Sequence, residues 1–156
     1  KTYLSGRIDI LMGGRCAEKI IFNDTSTGAG NDIAVATDLA RKMVCEWGMS
    51  EKIGPLTFGK KENEVFLGRQ INSSNEYSDQ VSSTIDNEII NFVKKAESNA
   101  YNILNKYINQ LHSIAKHLIE LETINGKEME SIINGNDLIS EKKPTERKKR
   151  TRRSKE

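Results

Sequence analysis

The chain has 156 residues, of which 36% are hydrophobic, 29% charged and 6% aromatic, with a net charge of +2. That length can bury a core without staples, and the two cysteines, Cys16 and Cys45, make no disulfide framework, so a reducing compartment is the simpler reading. No apolar run reaches the roughly 18 residues of a membrane span, and no signal peptide is expected in these residues.

The chain opens on Lys1 with helical patterning already under way, and it reads as a fragment of a longer protein. Residues 3–22 are expected to form a helix, with Leu4, Ile8, Leu11, Met12, Cys16, Ile20 and Ile21 near a 3.6 period. Gly13 and Gly14 in its middle cost about 1 kcal/mol each against alanine, which implies a closely packed second backbone or a local kink. Residues 23–31 are turn formers throughout and predict a loop. A second helix is expected from Asp32 to Trp47, with Ile33, Ala36, Leu39, Ala40, Met43, Val44 and Trp47 as its apolar stripe and Gly48 as its stop. Short extended pieces are expected at Leu56–Phe58 and Val65–Leu67.

From Ser78 or Asp79 a long apolar stripe runs to about Leu121. So long a stretch predicts a break near Asn105–Asn109 and a helical hairpin. Thr123 can cap a last short helix over Gly126–Ile133. Residues 141–156 hold nine Lys/Arg and three Glu, for a charge of +6 against −4 in the rest of the chain. That tail lacks apolar residues and is expected to be disordered. It reads either as a solvated tail or as a contact for nucleic acid, anionic lipid or an acidic partner. No aromatic residue interleaves with its charges, so base stacking is unsupported.

No phosphate-cradling glycine loop and no CxxC pair occur. His112 and His117 lie five apart, whereas two metal ligands on one helix face need four, so both read as partly exposed helix residues. The informative stretch is Ser26–Val44, STGAGNDIAVATDLARKMV. Asn31 or Asp32 is in place to cap a helix and complement its dipole. Alternatively Asp32 points from a fixed helix start into a site completed by other segments, where a carboxylate makes a good zinc ligand.

Several motifs in order make the chain similar to FtsH, the membrane-anchored AAA zinc protease family. LMGGRCAEKIIF resembles that family's GGRxAE helix, and the segment from Thr25 to Gly59 its TGAxND…ATxxAxxMVxxxGMSExxGP run. EVFLGR (Glu64 to Arg69), the Ser78–Asp79 helix start and Ile85–Asp86 also fit, so the likeness extends from about Gly6 to Ile133. The resemblance implies a mainly α fold, a helical peptidase-domain fragment with a long helical hairpin and a small extended patch. Residues 1–135 would be the C-terminal part of the zinc peptidase domain and residues 136–156 the basic tail.

The resemblance further implies an ATP-dependent zinc metalloendopeptidase that degrades membrane and cytoplasmic proteins. It implies a homo-hexamer with N-terminal membrane helices, at the cytoplasmic face of the bacterial inner membrane, and an ATPase module using ATP and Mg. Zinc in that family is held by the two histidines of a HExxH helix and by an aspartate, at whose position Asp32 stands. No HE dipeptide occurs in these residues, so the helix with its two histidines and glutamate base is expected before Lys1, with no catalytic residue in this fragment. Glu18 is read in two ways, as a carboxylate orienting a zinc-bound histidine or as a surface partner of Arg15 or Lys19. The competing function is a non-catalytic helical oligomerisation module with a basic binding tail. No nucleic-acid partner is expected.

Overall fold

A computed structural model describes residues 1–58 and 77–136. They form five α-helices: α1 (Thr2–Phe22), α2 (Gly30–Cys45), α3 (Asp79–Lys106), α4 (Ile108–Leu121) and α5 (Gly126–Ile133). A single 3-10 turn, Thr27–Ala29, precedes α2. The helices fall into two compact units, Lys1–Lys106 and Tyr107–Glu156, each described by itself. The mainly α expectation holds. No strand is present among the described residues. Leu56–Phe58 is irregular chain tied back by the Phe58 N–H, which donates to the Cys45 carbonyl at 2.7 Å. Val65–Leu67, the EVFLGR motif and the basic tail lie outside the described residues.

In the first unit α1 packs on both α2 and α3, more extensively on α3. The predicted stripes supply the core. Ile8, Met12 and Cys16 come from α1, Met43 and Val44 from α2, and Ile85 and Ile89 from α3. Ala36 and Ala40 on α2, and Ala96 and Ala100 on α3, are buried at i,i+4 spacing, so small side chains let the helix axes approach. Both thiols are inside, and burial pushes them above the ordinary cysteine range. Cys16 Sγ lies 3.4 Å from the Glu97 carbonyl, and Arg15 Nε pairs with Glu97 Oε1 at 3.5 Å.

Gly13 and Gly14 do not serve a close contact among the described residues: an added Cβ at either would meet nothing within 4 Å. Their face of α1 also exposes Tyr3 and Ile10. α2 ends at Cys45 with Glu46 at its C-cap, two residues short of the expected Trp47, and Gly48 follows with φ at +56°, where an added Cβ would come 2.8 Å from Pro55 Cα. Beyond it the buried Ser50 hydroxyl donates to Glu88 Oε2 at 2.6 Å. Lys52 and Asn91 approach the other Glu88 oxygen at 3.2 and 3.3 Å, which pins the turn after α2 to α3.

The predicted break between the last long helices falls at Tyr107. In the second unit α4 packs on α5. His117 corrects the expected exposure: it is 3% exposed, with Nδ1 2.7 Å from the Ser113 carbonyl, whereas His112 is exposed. The cap of α5 is Asn125, not Thr123. Its side chain accepts the Glu128 N–H at 3.0 Å while Glu128 accepts the Asn125 N–H at 2.9 Å, a reciprocal capping box.

Candidate metal-ligand site

Glu18 lies near the end of α1, Ser26 in the loop that follows and Asp32 in the first turn of α2; Glu18 and Ser26 are in contact, and Asp32 is not among their partners. α1 ends at Phe22 because Asn23 takes a left-handed conformation, φ 52°, which asparagine tolerates. The Thr25 N–H then donates to Asp24 Oδ1 at 2.7 Å, a bond between adjacent residues. Ser26 is extended and opens the 3-10 turn, its hydroxyl accepting the Gly28 N–H at 3.1 Å. Ala29 is buried and ties the turn to the core side.

Asp32 is the third residue of α2, in its first turn and half-buried. It does not cap the helix, and neither does Asn31. The cap position is Ala29, without a side-chain bond, because the 3-10 turn leads directly into the helix and the Gly30 N–H goes to the Thr27 carbonyl. Among the described residues no hydrogen bond or ion pair engages the Asp32 carboxylate. It therefore stands at the positive end of the α2 dipole with its lone pairs unspent.

Glu18 follows neither surface pairing weighed for it. Its Oε1 accepts the Ser26 hydroxyl at 2.6 Å and its Oε2 the Ser26 N–H at 2.9 Å, while Arg15 turns to Glu97. These two bonds hold the Glu18 carboxyl below the usual carboxylate range, the hydroxyl bond contributing most. Desolvation opposes the shift, and the Arg15 charge adds a little to it. With Phe22, Asp24, Thr25 and Ser26, Glu18 lines a cavity of about 270 Å³. Ser26 is the residue that sequence reasoning missed. Its signal was a serine two positions before a glycine in a turn-forming run.

A single aspartate cannot hold a catalytic zinc, which takes three protein ligands and an open position. No group of three His, Cys, Asp or Glu suited to a metal occurs among the described residues. The buried His117 belongs to the second unit. What this segment offers is one carboxylate on a rigid helix start, a donor type that zinc accepts.

A family model described as peptidase family M41 matches residues 1–132. The chain is 49% identical over 138 residues to an ATP-dependent zinc metalloprotease FtsH 1 of Thermoanaerobacter sp. (strain X514), covering 88% of this chain and 23% of that protein. It is 44% identical over 144 residues to an ATP-dependent zinc metalloprotease FtsH of Myxococcus xanthus, covering 92% and 23%. A third such protein, from Thermotoga maritima, is 46% identical over 133 residues, covering 85% and 22%. The chain thus spans less than a quarter of the length of these relatives. A match that runs over residues 1–132, through both the Glu18 helix and the Asp32 helix, places the chain in peptidase family M41.

Proposed function

We propose that the chain is the C-terminal part of the peptidase portion of an ATP-dependent zinc metalloprotease, and that Asp32 is its one zinc ligand. The observation that carries this is a half-buried carboxylate in the first turn of α2 that no described residue engages. The named activity of the relatives supports the metal and the protein substrate. On this reading residues 1–135 belong to the peptidase portion. The two histidine ligands and the glutamate base are carried by an HExxH helix outside these residues.

Asp32, with two histidines from outside these residues, would hold the zinc, which would supply Lewis-acid activation of water and of the scissile carbonyl. This chain's residues do the holding. Asp32 supplies a carboxylate donor from the first turn of α2. The same reading assigns the whole protein a homo-hexameric assembly, a membrane anchor at the cytoplasmic face of the inner membrane, and an ATPase module using ATP and Mg. No described helix is long and apolar enough to cross a membrane.

The test is Asp32→Asn in the full-length protein, with zinc content measured by mass spectrometry beside ATP-dependent casein cleavage. Loss of both, with the assembly intact by size, is the expected result. Retained zinc and cleavage would return Asp32 to a purely electrostatic role at the helix start.

A further inference from the structure

We infer that Glu18 and Ser26 are positioning residues for Asp32, acting as a relay of three hydrogen bonds from the end of α1 to the turn before α2. The inference rests on the zinc reading above. The hydrogen bonds run without a gap from Glu18 through Ser26 to the Gly28 N–H. The Ser26 hydroxyl has one proton and gives it to Glu18 Oε1 at 2.6 Å, so toward the Gly28 N–H at 3.1 Å it is the acceptor. The Ser26 N–H closes the second Glu18 oxygen at 2.9 Å. Asp32 follows Gly28 by one helical turn.

The segment needs such a device. Residues 23–28 are all exposed, so no apolar burial fixes them. The helices on either side are fixed, α1 by Cys16 and α2 by Ala36, both 0% exposed. The clamp joins one anchored helix to the turn that starts the other. A metal ligand must be held to within about 0.5 Å, and aspartate, one methylene shorter than glutamate, has little reach to spare. The packing around the hydroxyl is close: a Cβ on Gly28 would lie 3.2 Å from Ser26 Oγ and 3.8 Å from Glu18 Oε1. Glycine there leaves the hydroxyl room to sit between its two partners.

This role differs from that of a carboxylate that orients a zinc-bound histidine directly, because it runs through Ser26. The experiment compares zinc affinity of the full-length protein, by competition with a fluorescent chelator, for Glu18→Gln, Ser26→Ala, the double variant, Ser26→Thr and Asp32→Asn, with melting temperatures alongside. Glu18→Gln and Ser26→Ala are each expected to weaken zinc about 10-fold or more, the range for residues behind a ligand. The double variant should be no weaker than the worse single one, since both break the same relay. Ser26→Thr, which keeps the hydroxyl, should restore affinity.

Weakening in Glu18→Gln with Ser26→Ala unchanged would overturn the relay and make Glu18 act on another group directly. Additive losses, or equal loss in Ser26→Thr and Ser26→Ala, would overturn it as well. Unchanged affinity in Asp32→Asn would remove the zinc reading itself. Loss in Asp32→Asn with none in the clamp variants would remove only the relay.

Discussion

Replacing Ser50 by alanine should cost the first unit about 2–3 kcal/mol at neutral pH. The hydroxyl is 2.6 Å from a carboxylate that is itself 8% exposed, and a hydrogen bond to a charged group contributes roughly 1.5–3 kcal/mol. Alanine leaves Glu88 with Asn91 at 3.3 Å and with Lys52, whose side chain is 66% exposed and so screened by water. The Ile53 N–H, at 3.3 Å from the same hydroxyl, loses a long bond of little worth.

At a slope of roughly 1–3 kcal/mol per molar urea, the midpoint should fall by about 0.7–3 M. Trp47, the sole tryptophan, lies three residues before Ser50 and reports the unfolding by fluorescence. The effect carries a pH signature. The Ser50 bond holds the Glu88 carboxyl below its usual range, against the opposing effect of burial, with Lys52 and Asn91 adding to it. A depressed carboxyl contributes stability above its unfolded pKa, about 4.3, and loses it as the pH falls through the folded value. The wild-type chain should therefore lose stability in acid faster than Ser50→Ala. The gap should close toward the roughly 1 kcal/mol of a neutral bond. A gap below about 0.5 kcal/mol at pH 7, or one that widens in acid, would refute the reasoning.

Gly48→Ala should destabilise the first unit by about 2 kcal/mol or more, because a φ of +56° strains any side chain and its Cβ would press on Pro55 Cα at 2.8 Å. Urea unfolding checks it, and an unchanged midpoint would contradict it. Gly13→Ala and Gly14→Ala should instead stabilise this chain by up to about 1 kcal/mol each in thermal melts, since both positions have open space. A loss would mean that another backbone packs on that face. Asn125→Ala should cost about 1 kcal/mol and release amide protection in α5 first, by hydrogen exchange, because it removes one half of the capping box. Uniform loss across both units would argue against a local cap.

The helices that position the site were legible because their apolar stripes are long and regular. The stripe over residues 3–22 became Thr2–Phe22, and the break placed between Asn105 and Asn109 fell at Tyr107. What was less legible was chemistry decided by close alternatives. Thr123 and Asn125 are both cap residues, and the arbiter was Glu128, three positions after Asn125, which makes the box reciprocal. Asp32 looked like a cap because it begins the apolar stripe. The 3-10 turn begun by Ser26 extends the helical backbone upstream and takes the cap position away from it. Glu18 has Arg15 and Lys19 within one turn, so a local pairing was natural. Its actual partner is eight residues on, across a loop whose path no periodicity reveals. His117 was read from spacing alone, and its burial is a tertiary fact.

The seclusion of both thiols has a practical side. Cys16 and Cys45 are the only cysteines in the chain, and neither presents a reactive thiolate to solvent. The native exterior is therefore silent toward maleimide reagents. A cysteine introduced at Phe22, 73% exposed, or Val35, 46% exposed, will take a spin label or fluorophore alone. With both introduced, the spacing across the loop before α2 becomes a ruler, readable in solution without first stripping the core of its own sulfur.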